Sequence, residues 1–512
     1  MPPQKMLERL SNRLKLLKGG ARDFPTRQQT LRGAIDWSYE LLEEDEKTLF
    51  GRLSVFSGGR TLEAIEEICD PEGDLEALDG VESLLEKSLL RQEEGPNGEP
   101  RYVMLETVHE YAREKLEQSG EAEVMRGAHA EYFLALAKDA EPALKGPEQL
   151  EWLERLEAEH DNLRAALGWA LESKEGELAL RLAGTLWWFW FVHGHLRESR
   201  AWLEAALAEG AALSSAPKVR AKALTGAGRL ALEVGELERA RALLEEGVQL
   251  FREAGDEAGL AEALDNLAIA AAFSGELEKA KPLFEESLAL YREAGDGWGV
   301  GEVLNNLASV ARIQDKDDAS LALYEESLAT RRKVGDKRGI AMSLLNMGAV
   351  WVARSEYERA AKLTEDSLVL YRELGDKATV VENLANLGEL ELERGNQKQA
   401  ERHLREGLML SKVAGHRMPM LYSLLGFGRL AEKRGELLRS TRLFGFMIEA
   451  PEATFFHHLM NSSEKARLES SIATVRSRLG EAAWEEAYGE GRSMTLDEAV
   501  SYALEEDAEG RT

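Results

Sequence analysis

Four Gly-Asp pairs recur every 40 residues along the middle of the chain. They are Gly255-Asp256, Gly295-Asp296, Gly335-Asp336 and Gly375-Asp376. A fixed period of that length indicates a repeat array, in which each unit buries its apolar face only against its neighbours. Such arrays present an extended surface to a partner, so the sequence poses the question of what this chain binds.

Each unit has the pattern of two helices. In the second unit, the apolar spacing predicts helix A over 257–273 and helix B over 276–293. Gly275 allows the tight turn between them, and Gly255 suits the left-handed position just after a helix end. Asp256 can then cap the next helix. The unit therefore accounts for its recurring residues without any ligand.

Two further columns of residues share the period. A turn column contains Gly235, Gly275, Asp315, Ser355, Gly395 and Gly435, and an asparagine column contains Asn266, Asn306, Asn346 and Asn386. Each asparagine is followed by Leu or Met and then by Ala or Gly. This pattern resembles the tetratricopeptide repeat in its longer-helix variety, which implies an α-α superhelical solenoid. We expect about seven helix pairs over 175–450 and capping helices with an acidic tail over 451–512.

The asparagine column is the candidate binding site. In arrays of the kind that the chain resembles, helix A faces the concave groove, so Asn266, Asn306, Asn346 and Asn386 would form a ladder along it. An amide both donates and accepts hydrogen bonds, and it can pair with a peptide backbone of any sequence. The alternative is that each asparagine pairs with a neighbouring helix and only stabilises the stacking, because buried amides need partners.

The front of the chain has a different pattern. Helical periodicity covers 27–42, 44–55, 61–69 and 75–85, two β-like runs cover 89–92 and 101–104, and a last helix covers 105–117. Asn97-Gly98 between the two runs is a hairpin-turn signal. Helices followed by a hairpin predict a winged-helix domain over 27–120, with connecting helices over 121–174. The expected fold class is therefore predominantly all-α with one short β-hairpin.

Three segments extend the resemblance to a family. They are RLKLLKGGARDFPTRQQTLRGAIDWSYELL, LFGRLSVFSGG and RYVMLETVHEYAREKL. These segments resemble the region that follows the nucleotide-binding core in bacterial NB-ARC (STAND) regulators. That family includes AfsR-like and large LuxR-like transcriptional activators. The segment RLGEAAWEEAYGEGRSMTLDEAVSYAL resembles the usual end of their sensor domains. The resemblance implies a winged helix that couples to a tetratricopeptide sensor, in a signalling or transcription-regulation system.

The chain departs from that family in three respects. It contains no G-x-x-x-x-G-K-[ST] motif to hold phosphates, and no helix-turn-helix follows the repeats. Met104-Leu105-Glu106 stands at the family's Met-His-Asp motif, with Leu105 where the nucleotide-contacting His would be. We therefore expect neither a P-loop ATPase core nor a DNA-binding output domain in this chain, and no nucleotide sensing through this motif.

Charge and composition exclude other functions. The net charge of −29 disfavours direct binding to nucleic acid, although a basic segment occupies residues 1–26. That segment is either a surface for an anionic partner or a solvated edge. Cys69 is the only cysteine, and no apolar run is long enough to span a membrane, so a cytoplasmic protein is expected. No zinc-ligand spacing or nucleophile-elbow motif is present, which predicts no enzyme, no metal and no cofactor.

The sequence thus predicts a non-enzymatic regulatory protein that binds a peptide or protein partner in the groove of its repeats. Two alternatives remain. The chain is either the detached or truncated half of a STAND switch that works with a separate nucleotide-binding ATPase chain, or a DNA-associated transcriptional regulator.

Overall fold

The computed structural model describes residues 31–210, 217–414, 417–449 and 462–505. Three predicted parts of the chain lie wholly or partly outside those residues: the basic segment 1–26, the start of the helix at 27–42 and the acidic tail. The chain divides into two compact units. The first contains the chain up to Ala143 with Glu151–Leu186 and Glu204–Ser215, and the second contains Leu144–Leu150, Trp187–Leu203 and the chain from Ala216 onward.

The front of the chain is a set of short helices followed by a hairpin and a longer helix. The elements are α1 (Leu31–Glu40), α2 (Glu44–Arg52), α3 (Leu62–Cys69), α4 (Ala77–Glu86), β1 (Arg91–Glu94), β2 (Pro100–Val103) and α5 (Glu106–Ser119). The two strands are antiparallel, with Arg91 opposite Val103 and Glu94 opposite Pro100. Asn97 and Gly98 both have positive φ in the turn, as the Asn-Gly signal predicts.

The first strand was predicted two residues too early. Leu89 and Leu90 donate their backbone N–H groups to the carbonyl oxygen of Leu84, at 2.9 Å and 3.2 Å. They therefore close the end of α4 through a left-handed residue, Ser88, whose φ is 58°. Both leucines are buried. Their apolar character, which resembled a strand, instead fixes the helix end in the core.

Five helices continue the chain, and buried polar contacts join two of the connecting segments to the hairpin region. The helices are α6 (Ala122–Ala143), α7 (Gln149–Ala158), α8 (His160–Glu172), α9 (Gly176–His193) and α10 (Leu196–Glu209). Arg101 of β2 forms a buried ion pair with Glu159, and its guanidinium donates to the carbonyl oxygen of Gly59 at 2.7 Å. Asn162 accepts from the backbone N–H of Ser57 at 2.7 Å. Glu159 and α8 therefore contribute buried polar contacts to the core of the first unit.

The repeats follow as antiparallel helix pairs. Their helices are α11 (Pro217–Glu233), α12 (Leu237–Ala254), α13 (Glu257–Phe273), α14 (Leu277–Ala294), α15 (Gly297–Ile313), α16 (Asp317–Val334), α17 (Lys337–Ala353), α18 (Tyr357–Glu373), α19 (Lys377–Glu393), α20 (Gln397–Ala414), α21 (Arg417–Arg434) and α22 (Leu437–Glu449). With α9 and α10, the described residues form seven consecutive pairs within 175–450. The observed α13 and α14 lie within a residue of the helices predicted for the second unit.

The Gly-Asp pairs end one helix and begin the next. Gly255 takes a left-handed conformation after α12, with φ of 62°. The Asp256 carboxylate then accepts a hydrogen bond from the backbone N–H of Gly259 at 3.0 Å, which caps α13. The same cap recurs at the three later junctions, at Asp296, Asp336 and Asp376. Each cap satisfies a backbone donor that the first turn of a helix leaves unpaired.

The turn inside each pair requires a left-handed residue. Gly235, Gly275, Gly395 and Gly435 have φ between 78° and 82° at this position. Asp315 and Ser355 occupy it in the other two repeats, with φ of 56° and 61°. A side chain in this conformation costs backbone energy that glycine does not. Two repeats therefore keep the turn at a cost.

Three helices follow the repeats, at α23 (Ser462–Leu479), α24 (Glu481–Arg492) and α25 (Leu496–Leu504). Trp484 of α24 is buried in a cluster with Phe444 and Met447 of α22. Ala499 and Val500 of α25 join a second cluster built by α20 and α21. These helices thus cover the apolar end of the array, and the predicted fold class of a mainly α-helical chain with one short hairpin is confirmed. Among the described helices, none combines the length and the apolar character that crossing a bilayer requires.

Candidate ligand-binding cavity in the repeat array

The asparagine column lies on the first helix of four successive pairs, and its members differ in their partners. Asn266 of α13 is buried and donates to the carbonyl oxygen of Glu262, one turn earlier, at 2.9 Å. Asn306 of α15 donates from Nδ2 to the Asp265 carboxylate of α13 at 3.0 Å. These two side chains are therefore engaged within the array.

The next two asparagines form weaker hydrogen bonds within the array, or none. Asn346 of α17 donates to the side-chain oxygen of Asn305 at 3.3 Å, the long end of a hydrogen bond. Asn386 of α19 makes no hydrogen bond to any residue in the described parts of the chain. The four members therefore differ: Asn266 bonds within its own helix, Asn306 bonds to the neighbouring first helix, and Asn386 makes neither contact with the described residues.

Three of the four asparagines line one cavity of about 410 Å³ in the second unit. They are Asn306, Asn346 and Asn386, whereas Asn266 does not reach it. Much of the wall is apolar, with Ile269, Phe273, Val310, Ile313, Leu345, Val352, Leu390, Leu425 and Leu468. An apolar cavity with a few placed polar groups has the composition of a binding site for a small ligand or a short peptide segment.

Asp265 shows why Asn306 is needed for stability. The carboxyl group is buried, and burial raises its pKa to about 7, while the hydrogen bond from Asn306 acts in the opposite direction. Glu302 and Glu262 raise the pKa further, and Arg229 lowers it. The amide of Asn306 is thus the only side-chain hydrogen bond that the Asp265 carboxylate receives from the described residues. A buried polar group without its partner is costly.

A second polar row crosses the cavity wall on α19. Glu382, Asn386, Glu389 and Glu393 all line the cavity. Their spacing of four, three and four residues places them on one face of the helix. Arg429 of α21 is buried and forms ion pairs with both Glu389 and Glu393. Glu389 and Glu393 therefore both have an ion-pair partner within the protein.

Glu382 has a different environment from the other acidic residues of the row. It is partly buried, and it forms neither a hydrogen bond nor an ion pair with a residue that the structure describes. Burial raises the pKa of Glu382 to about 7, and the carboxylates of Asp376 and Glu233 add to the shift. Glu382 lies outside the turn and asparagine columns that the repeat period defines. Its position four residues before Asn386 was the available signal.

Leu144–Leu150, which belongs to the second unit, contacts the first helices of three of the repeat pairs. Lys145 Nζ lies 3.5 Å from the Glu262 carboxylate and 4.4 Å from the centroid of the Trp298 ring. Gln149 is buried, and its side-chain oxygen accepts from the backbone N–H of Arg338 at 3.3 Å. Leu144–Leu150 thus provides an internal example of a segment held by the helices α13, α15 and α17. No periodic pattern in the sequence predicts it.

The aromatic cluster at the end of α9 is buried. Trp187, Trp188, Phe189 and Trp190 are all less than a tenth exposed. The Arg338 guanidinium lies 5.5 Å from the Trp188 ring centroid. Burial and a cation–π contact of this kind are typical of core packing.

The predicted motif at Met104, Leu105 and Glu106 lies where β2 passes into α5. Leu105 is the residue before the first turn of α5, and 44% of it is exposed. The Leu105 side chain is apolar and offers no hydrogen-bonding group. Cys69 is buried, and burial raises the pKa of its thiol to about 12, so a thiolate nucleophile is disfavoured there.

Comparisons with known proteins agree with this architecture. A family model for a winged helix-turn-helix domain matches residues 42–117, and a model for the tetratricopeptide repeat matches residues 219–293 and 299–373. A Mycobacterium tuberculosis protein named "Putative HTH-type transcriptional regulator" is 37% identical over 287 residues, which cover 54% of this chain and 32% of that protein. The chain therefore spans about a third of the length of that relative.

Two more relatives were found. An uncharacterised protein of Mycobacterium tuberculosis is 31% identical over 136 residues, which cover 26% of this chain and 34% of that protein. The crystal structure of a Pyrococcus horikoshii STAND protein with a tetratricopeptide repeat sensor covers 96% of this chain and 72% of its own, with a TM-score of 0.52 and 18% identity. At that identity the likeness concerns the fold. The chain joins a winged helix-turn-helix domain to a tetratricopeptide-repeat array, and it resembles the winged-helix and sensor region of bacterial STAND regulators.

Proposed function

We propose that this protein is a non-enzymatic regulator whose repeat array binds a peptide, or an extended segment of a partner protein, in the cavity beside Asn386. The observation that carries the proposal is the amide of Asn386, which lines the cavity without a partner among the described residues. An amide in that position gains a hydrogen bond when a peptide group enters, whatever the side chains of the peptide. Asn346, with its long hydrogen bond, is the second contact.

The segment Leu144–Leu150 supports the same proposal. Lys145 and Gln149 contact α13, α15 and the start of α17 through one ion pair, one cation–π contact and one backbone hydrogen bond. The first helices of the array thus already hold another piece of this chain, by contacts that a foreign peptide also offers. The ligand would make contacts of this type with α17 and α19.

The role that we propose for the winged-helix domain is contact with protein rather than recognition of DNA. Its α4 exposes Asp79, Glu82 and Glu86, and Lys87 is held by Glu46 at 2.8 Å. A helix with this charge repels the phosphates that flank the major groove. As the sensor region of a STAND-type signalling system, the array would report ligand binding to a nucleotide-binding ATPase domain through the winged helix.

The test is equilibrium binding of fluorescent random pentapeptides to the full chain. We expect binding that Asn386→Ala weakens by about fivefold, since a lost hydrogen bond costs on the order of 1 kcal/mol. Asn386→Ala leaves the melting temperature unchanged because that side chain pairs with nothing in the described fold. Ala349→Phe, which fills the cavity, abolishes binding.

Two controls separate ligand contacts from stacking. Gln249→Ala removes an exposed amide on α12, outside the cavity, and leaves binding unchanged. Asn306→Ala lowers stability because Asp265 loses its partner. Peptide binding that survives both Asn386→Ala and Ala349→Phe would assign the ligand to another surface.

A further inference from the structure

The charged groups that line the cavity are nearly all paired within the protein. Arg429 forms ion pairs with both Glu389 and Glu393. Arg229 of α11 forms an ion pair with Glu233 at 3.0 Å and also lies 5.0 Å from the Phe191 ring centroid. The remaining two cationic side chains of the wall, Arg312 and Arg467, also interact with other residues. The cavity thus has little free positive charge to offer an anionic ligand.

Glu382 is the exception among these groups. No arginine, lysine or histidine in the described parts of the chain lies within ion-pair distance of it, and no hydroxyl or backbone N–H donates to it. The charges that act on it, Asp376 and Glu233, are also negative. A partly buried carboxylate that senses two others is destabilising unless it takes up a proton or pairs with a positive charge.

The geometry of α19 relates Glu382 to the proposed peptide contact. Glu382 and Asn386 are one helical turn apart, so their Cβ atoms are separated by about 5–6 Å. One residue of an extended peptide spans about 3.3–3.6 Å. A cationic group that contacts Glu382 therefore belongs to the same ligand residue, or to the neighbouring residue, as the peptide group that contacts Asn386.

We propose that the ligand of this cavity carries a cationic group, an ammonium or a guanidinium, which pairs with Glu382 while the adjacent peptide group hydrogen-bonds to Asn386. This inference rests on the proposed function, and it specifies the chemistry of the ligand. The cation is supplied either by the free N-terminus of a peptide or by a lysine or arginine side chain. Both sources present N–H donors to the carboxylate.

Three sets of fluorescent pentapeptides distinguish these sources. The first set has a free N-terminus and neutral side chains, the second has an acetylated N-terminus and one lysine or arginine, and the third has an acetylated N-terminus and neutral side chains. We expect the third set to bind at least about tenfold more weakly than one of the first two, as a charge-assisted hydrogen bond predicts. The set that binds more tightly identifies the source of the cation.

Variants of the full chain show whether Glu382 is the cause. Glu382→Gln removes the preference for cationic peptides and leaves weak binding of the neutral set, whereas Glu382→Asp keeps the preference in reduced form. Glu365→Gln, an exposed glutamate on α18, retains the full preference. Circular dichroism and melting curves verify that each variant is folded.

The possible failures are distinguishable. If all three sets bind wild type equally, the cationic ligand is excluded while peptide binding stands. If the preference persists in Glu382→Gln, the pairing of the cation with Glu382 is excluded, and peptide binding again stands. If no set binds the folded wild type, the proposed function itself is refuted, and the inference falls with it.

Discussion

Single residues in the repeat turns carry a measurable backbone cost. Ser355 has a φ of 61° at a position where other repeats have glycine. We expect Ser355→Gly to raise the free energy of unfolding by about 1 kcal/mol, since a left-handed conformation costs a non-glycine residue on the order of 1–2 kcal/mol. Chemical denaturation measures the change.

The reverse substitution is the matched control. Gly275 occupies the equivalent turn, with φ of 78°, and no atom lies within 4 Å of a Cβ added there. Gly275→Ser should therefore destabilise the protein by a similar amount through the backbone alone. If Ser355→Gly has no effect or destabilises, the Ser355 side chain supplies a contact that offsets its conformation.

Glu382 also predicts how the stability of the free protein depends on pH. Burial and the carboxylates of Asp376 and Glu233 raise its pKa to about 7, and Tyr371 of α18 is the other titratable group that senses its charge. In the unfolded chain the pKa of glutamate is about 4.3. The folded state therefore holds more protons between these values, and this residue's contribution to stability falls as pH rises through that window.

Replacing Glu382 by glutamine removes this dependence. At pH 8 we expect Glu382→Gln to be more stable than wild type by about 1–2 kcal/mol, a value reduced from the full shift because the side chain is only partly buried. Near pH 4 the two proteins should be equally stable. Denaturation over a pH series measures the difference, and Glu365→Gln should follow wild type throughout. Parallel curves for wild type and Glu382→Gln would mean that the carboxyl group titrates normally.

Two kinds of ion pair connect helices of the array: exposed ones and a buried one. On the outer surface Arg252, Arg292 and Arg372 pair with Glu286, Glu326 and Glu406 of the next repeat. Inside the array, the Arg331 side chain of α16 is fully buried and pairs with Glu302 of α15 at 2.7 Å. The outer pairs are exposed and screened by water, so the inner pair should contribute far more to stability.

Replacing an arginine of each kind with methionine tests whether the buried ion pair contributes more to stability than an exposed one. Arg331→Met leaves the Glu302 carboxylate without its cation, and we expect a loss of about 3 kcal/mol. Arg292→Met removes an exposed partner of similar length and should change stability by about 0.5 kcal/mol or less. Urea denaturation of both variants supplies the comparison. Equal effects would indicate that Glu302 finds another partner when Arg331 is absent.

The sequence predicts elements better than it predicts the site. Helix bounds follow from local periodicity, so α13 and α14 were predicted to within a residue. The pairing of Arg429 with Glu389 and Glu393 links residues 36 to 40 positions apart, and nothing in the spacing signals it. For the same reason the four asparagines look equivalent in the sequence. Only their neighbours in space separate Asn306, which supports Asp265, from Asn386.

At the scale of the molecule, the charge predicts how the protein behaves with DNA. The net charge is −29, and α4 exposes Asp79, Glu82 and Glu86. We expect no retardation of duplex DNA in a mobility-shift assay at low ionic strength, on the order of 10 mM salt, where electrostatic binding is strongest. A variant with Glu82→Lys and Glu86→Lys should begin to bind nonspecifically, which verifies the assay. A salt-sensitive shift of wild type would favour the regulator that contacts DNA directly.

The Gly-Asp junctions have a consequence for how such a protein changes over generations. Every junction ends one pair and caps the next by the same local contacts, at Asp256, Asp296, Asp336 and Asp376. An in-frame duplication or deletion between two of these dipeptides therefore rejoins identical ends. Recombination within the gene can lengthen or shorten the array by whole pairs and add or remove one asparagine each time. The length of the asparagine column then changes in steps, while the chemistry of each junction is preserved.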